Sequence, residues 1–152
     1  MLNTNRTYAD EIQPPVPIDT CYDLCSERRT ILVVEDDAFV RDPTCDILEA
    51  GGYQVLRARN AVEAREAFCR QQGGVQLLLS DVVLPGQSGP ELANDLRASR
   101  PAVKILFISG YGNSITKYGL TIGQMAYLPK PFSAESLLGK VREVLESAEP
   151  RN

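Results

Sequence analysis

The 152-residue chain contains no histidine. That removes the commonest general base and excludes Ser-His and Cys-His hydrolytic centres. It also weakens a zinc reading, because structural zinc sites draw on clustered Cys and His ligands. Only four cysteines are present, Cys21, Cys25, Cys45 and Cys69, and only the first two lie close together, at a C-x3-C spacing. They read as reduced thiols in a reducing compartment. Excess positive charge is missing too: 16 Lys and Arg stand against 20 Asp and Glu, a formal net charge of −4. Without a basic patch the electrostatic drive for binding nucleic acid is lacking, so no nucleic-acid partner is expected. No apolar run approaches the roughly 20 residues that span a bilayer, so no membrane insertion is expected. The opening stretch MLNTNRTYADEIQPPVP lacks the apolar core of a secretory signal, and the cytoplasm is the expected compartment.

What is present is a globular composition, 43% hydrophobic, of a length suited to one domain with a buried core. Residues 1–28 are polar, carry Pro14, Pro15 and Pro17, and read as a flexible N-terminal tail. A domain is expected over 29–148, with a short C-terminal tail over 149–152. Five apolar runs, at 30–34, 53–58, 75–80, 103–109 and 125–129, read as strands. Helical patterns fall between them at 38–50, 60–72 and 90–99, and a last one follows at 133–147. Asn60 and Ser133 are suited to N-caps, and Pro90 to a first helical turn. Alternating strands and helices predict an α/β fold with a parallel sheet covered on both faces, and near-continuous apolar strands fit that burial. Two regions fit less well. Pro43 inside the first helical pattern predicts a kink near 39–43 or a late start. Gly110, Gly112, Gly119 and Gly123 leave room only for a short or mobile helix around 114–119, since each interior Gly costs roughly 1 kcal/mol against Ala.

In an open α/β sheet, ligands bind at the carboxyl ends of the strands. There the first strand ends in Glu35-Asp36-Asp37, the third in Ser80-Asp81, the fourth in Ser109 and the fifth near Lys130. Each taken alone is an ordinary loop, cap or surface residue. Together on one rim they define a narrow chemistry. Crowded carboxylates repel one another unless a cation intervenes, and a hard-oxygen set without His or Cys favours magnesium or calcium. A lysine supplies a compact positive charge to a phosphoryl group, a serine hydroxyl can donate to its oxygens, and a carboxylate can itself be the nucleophile.

The segments ILVVEDD (31–37), LLLSDVVLPGQSG (77–89), ILFISG (105–110) and YLPKPF (127–132) resemble, in order and spacing, the CheY-like receiver domains of two-component response regulators. The resemblance runs over about residues 29–147. The wording SDVVLPGQSGPEL is similar to receivers that work with hybrid histidine kinases. The resemblance implies a flavodoxin-like, doubly wound, five-stranded parallel sheet in the order 2-1-3-4-5. It implies Asp81 as phosphoacceptor and a Mg2+ ion held by Asp36, by Glu35 mainly through water, by Asp81 and by the backbone carbonyl of Val83. Ser109 and Lys130 would contact the phosphoryl group, Ser109 and Tyr127 would form the switch, and the bond before Pro131 would be cis. Asp37 would cap the first helix. The expected donor is a histidine kinase or histidine phosphotransfer protein, which would dock beside the rim. Phosphorylation would then bias the face built from 114–119, the fifth strand and the last helix. The domain would catalyse only its own phosphorylation and dephosphorylation, as a monomer or weak dimer. Val83 and the bulky Tyr111 would shield the phosphoryl group from water and lengthen its life. Only a few residues, ending in Pro150, Arg151 and Asn152, follow the last helix, so a stand-alone relay protein and a piece of a larger kinase are both open.

Three rivals are weaker. A haloacid-dehalogenase-like phosphatase needs a second Asp two residues after the nucleophile, where this chain has Val83. A flavodoxin-like mononucleotide site needs phosphate-binding donors after the first strand, where this chain has three carboxylates. A pseudo-receiver, a protein-binding module indifferent to phosphorylation, needs a missing site residue, and none is missing.

Overall fold

A computed structural model describes residues 28–72, 74–110, 117 and 125–148. Five strands, β1 (Thr30–Val34), β2 (Gln54–Ala58), β3 (Leu77–Asp81), β4 (Lys104–Ser109) and β5 (Ala126–Pro129), form one sheet in the order β2-β1-β3-β4-β5. Every neighbouring pair is parallel. Four helices are described: α1 (Ala38–Ala50), α2 (Ala61–Arg70), α3 (Gly89–Ser99) and α4 (Ala134–Glu146). This is the doubly wound flavodoxin-like arrangement that the sequence predicts.

The central strands are covered on both sides because their side chains alternate between two apolar clusters. Leu32, Val34, Leu78 and Phe107 pack with Ala64 and Phe68 of α2 and Leu92 and Leu96 of α3. Ile31, Val33, Leu77, Leu79, Leu106 and Ile108 pack with Cys45 and Leu48 of α1 and Leu137 and Val141 of α4. Burying Cys45 in the second cluster pushes its thiol up to about 11, so it stays a neutral core residue.

Element starts follow local chemistry. Asp37, Asn60, Ser88 and Ser133 each accept a backbone N–H of the first turn of the helix they precede. At α3 the cap is a full capping box, with the Glu91 carboxylate accepting the Ser88 N–H at 3.0 Å. The sequence placed this start at Pro90, which lies in the first turn; the box in Ser88-Gly-Pro-Glu91 sets it one residue earlier.

Strand ends shift as well, with β4 and β5 each starting one residue later than their apolar runs. β3 runs through Asp81, since Asp81 keeps register with Ile108 of β4, and it begins only at Leu77. β2 begins at Gln54 rather than Tyr53. Pro43 does not delay α1, which begins at Ala38 and contains it. A late start is unnecessary because Asp37 already caps the first turn, and the Thr44 hydroxyl bonds the Val40 carbonyl at 2.6 Å just past the proline. The expected helix at 114–119, apart from Lys117, and the tails, apart from Arg28, lie outside the described residues. Among the described residues, no helix is long and apolar enough to cross a membrane.

Candidate functional site

Parallel strands put all their carboxyl ends on one edge, and the loops there bring together residues distant in sequence. Glu35 and Asp36 leave β1, Asp81 ends β3, Ser109 ends β4, and Lys130 follows β5. One carboxylate oxygen from each of Glu35, Asp36 and Asp81 lies within 4.8 Å of the others. The Lys130 ammonium bonds Glu35 Oε2 at 2.7 Å and Asp81 Oδ2 at 2.8 Å. Glu35 is essentially buried, with 2% of its side chain exposed, whereas Asp36 is exposed. Four of the expected site residues therefore converge.

Backbone contacts hold this set in place. Asp81 Oδ1 accepts the Val83 N–H at 3.0 Å, and Glu35 Oε1 accepts the Asp37 N–H at 3.2 Å. The Lys130 N–H donates to the Ser109 carbonyl at 2.9 Å, tying the end of β5 to the end of β4. The Tyr127 hydroxyl, half-buried, donates to the same carbonyl at 3.2 Å. Ser109 is buried, Val83 is half-exposed, and the Lys130–Pro131 bond is cis. Tyr111 lies outside the described residues.

Three positions near this cluster have no role assigned by sequence pattern. Arg41 of α1 donates to the Glu35 carbonyl at 3.0 Å with only 12% of its side chain exposed, fastening the loop that carries two carboxylates. Ser80 is fully buried, and Gly89 touches the Asp81 backbone. Arg41 gave no periodic or motif signal of its own. Ser80 and Gly89 did lie in the LLLSDVVLPGQSG segment, Ser80 at the end of the third strand, but nothing there marked either for a role.

The electrostatics follow from packing. Burial pushes the Glu35 carboxyl up to about 7; the Lys130 hydrogen bond opposes this, and the Asp81 charge adds to it. Burial also works against the charged form of Lys130, but hydrogen bonds to Asp81 and Glu35 outweigh it and hold the ammonium above its ordinary range. A carboxyl raised on folding stabilises the fold below its unfolded value and loses that contribution as pH rises through its folded value. Stability in chelator should therefore fall between pH 4.5 and about 7. The Glu35→Gln variant should lack that segment of the slope in urea titrations across this range. An unchanged slope would refute the assignment.

An all-oxygen donor set of three carboxylates, without nitrogen or sulfur, fits a hard divalent cation and not zinc. Lys130 beside it leaves room in the charge balance for an anionic group as well as a cation.

Comparison with known proteins agrees. Residues 31–142 match the family model described as response regulator receiver domain. The chain is 38% identical over 122 residues to the sensor kinase CckA of Brucella abortus, covering 80% of this chain and 13% of that protein. It is 32% identical over 117 residues to the sensory transduction protein RegX3 of Mycolicibacterium smegmatis, covering 76% of this chain and 50% of that one. The chain thus spans half or less of these two relatives. A crystal structure of the receiver domain from the hybrid histidine kinase CckA superposes with a TM-score of 0.65 at 34% identity, over 77% of this chain and 99% of that one. Fold, site geometry and sequence agree, and the chain belongs to the response regulator receiver domain family.

Proposed function

We propose that Asp81 is the phosphoacceptor of this receiver domain and that phosphorylation switches a protein-interaction face. The observation that carries this is the meeting of three carboxylates and the Lys130 ammonium at the ends of three strands. One Asp81 oxygen attacks the phosphorus of a phosphohistidine on a kinase or phosphotransfer protein. The O–P bond forms as the P–N bond breaks, and the imidazole leaves and takes up a proton. Lys130 and the Ser109 hydroxyl contact the transferred phosphoryl oxygens, and Lys130 offsets the negative charge.

Magnesium is the cation that suits this chemistry. Asp36, Asp81, Glu35 through water and the Val83 carbonyl would hold it. When bound it supplies charge neutralisation for the phosphoryl group. Lys130 must then release at least one carboxylate, and its flexible stem makes that exchange easy. Phosphorylation adds about −1.5 to −2 charges. Ser109 and Tyr127 pass this change to the edge of the sheet around β5, because the Tyr127 hydroxyl already bonds the Ser109 carbonyl. Val83, an exposed apolar side chain two residues past Asp81, supports slow hydrolysis. This is a signalling role in the cytoplasm, with no turnover of a separate substrate.

The test is intact-mass analysis after incubation with acetyl phosphate, with and without magnesium, with the adduct placed by borohydride reduction and peptide mapping. One magnesium-dependent adduct at Asp81 is expected. A folded protein that binds magnesium and forms no adduct would instead be a pseudo-receiver.

A further inference from the structure

Ser80 has no place in the chemistry above, yet its position is unusual. It is 0% exposed and belongs to the face of β3 that also presents Leu78 and Val82 to α2 and α3. A hydroxyl buried among apolar groups costs free energy unless it is hydrogen-bonded, and an aliphatic residue there would avoid that cost. The Ser80 hydroxyl donates to the main-chain carbonyl of Asp81 at 2.9 Å. The same carbonyl is roofed by α3: a Cβ on Gly89 would lie 2.1 Å from the Asp81 carbonyl oxygen and 3.0 Å from Ser80 Oγ. Just past β3 the Val82 N–H donates to the Ile108 carbonyl of β4 at 3.1 Å, and the turn to α3 is closed by Gly89 N–H to the Val82 carbonyl at 2.9 Å.

We propose that Ser80 and Gly89 are positioning residues for the acceptor: the Ser80 hydroxyl holds the Asp81 carbonyl, and the bare Gly89 lets α3 close over it. The inference rests on the reading of Asp81 as phosphoacceptor. It works through two successive peptide planes. Tilting the Asp81 carbonyl turns the Asp81–Val82 peptide, whose N–H is held by the Ile108 carbonyl, and through Val82 shifts the next peptide, which carries the Val83 N–H. That N–H holds Asp81 Oδ1 at 3.0 Å and so sets which way Oδ2 faces. The carbonyl latch therefore orients the carboxylate toward Lys130, which Oδ2 meets at 2.8 Å. Neither Ser80 nor Gly89 touches the phosphoryl group.

A pair of substitutions of nearly equal shape isolates the hydroxyl. Ser80→Thr keeps it, Ser80→Val removes it, and both add the same bulk. Ser80→Ala removes it without adding bulk. Adduct formation from acetyl phosphate would be followed against donor concentration at saturating magnesium, at a temperature where circular dichroism shows every variant folded. The maximal rate of Ser80→Val should fall about fivefold below that of Ser80→Thr, the loss that one hydrogen bond of ordinary net strength accounts for. Ser80→Ala should show a similar deficit against wild type, with half-saturating donor concentration unchanged in each case. Equal rates for the Thr and Val variants, or an unimpaired Ala variant, would overturn the proposal while leaving Asp81 as acceptor. No adduct on wild type would remove both readings together.

Discussion

Asp81→Asn is expected to abolish the magnesium-dependent adduct while leaving the domain folded. The amide has the shape of the carboxylate, but its oxygen carries no formal charge and is a poor nucleophile, so no stable acyl phosphate forms. The fold should survive because Asp81 takes one hydrogen bond from the Val83 N–H and one from Lys130. Asparagine can satisfy one of these with its oxygen, and the other lost contact costs about 1 kcal/mol. Removing a charge from a cluster packed within 4.8 Å offsets part of that. The Asp81 charge helps to raise the Glu35 carboxyl, so in the variant that carboxyl should titrate lower than about 7. Intact mass reads the adduct, and carboxyl titration by NMR reads Glu35. A wild-type level of adduct in the variant would place the acceptor elsewhere.

Much of this was legible in the sequence because parallel α/β architecture is written in patterns that local chemistry enforces. Strands buried on both faces appear as unbroken apolar runs, so β1, β3 and β4 are marked, to within a residue or two, by TILVV, VQLLLS and VKILFIS. The end of each run then names the rim residues, which is why Glu35, Asp36, Asp81 and Lys130 stand out from sequence alone. Exact boundaries were less legible. Whether β3 starts at Val75 or Leu77 depends on pairing with β4, a long-range fact that no local pattern carries. Pro43 misled for a similar reason. Its propensity cost is local, while burial of Cys45 and Leu48 against the sheet and the Asp37 cap favour the helix regardless. What the residues behind the site do was not legible. Arg41 and Ser80 act through main-chain carbonyls, and a carbonyl acceptor leaves no trace in the side-chain alphabet.

Lys130→Met should separate chemistry from stability. With the ammonium gone, Glu35 and Asp81 share a nearly buried site without their common partner, whose side chain is 21% exposed. Breaking such a contact can cost about 3 kcal/mol, the lower end of the range for buried pairs. Glu35 limits the loss, because it can take up a proton. Its carboxyl already titrates at about 7 with Lys130 opposing the rise, and without Lys130 it should titrate higher still. In chelator, then, the variant should be destabilised most at alkaline pH, where Glu35 is forced to ionise. Magnesium should restore more stability to the variant than to wild type, since it replaces a missing positive charge rather than competing with one. The rate should not be restored in the same way. Charge on the transferring phosphoryl group would still lack the ammonium, and loss of one such stabilising contact typically lowers a rate by about 10²-fold. Melting curves across magnesium concentrations, run beside adduct kinetics at saturating magnesium, separate the two effects. A variant as stable as wild type in magnesium yet slow would assign Lys130 to phosphoryl transfer. One that recovers both would show Lys130 to be only a counter-charge for the empty carboxylate cluster.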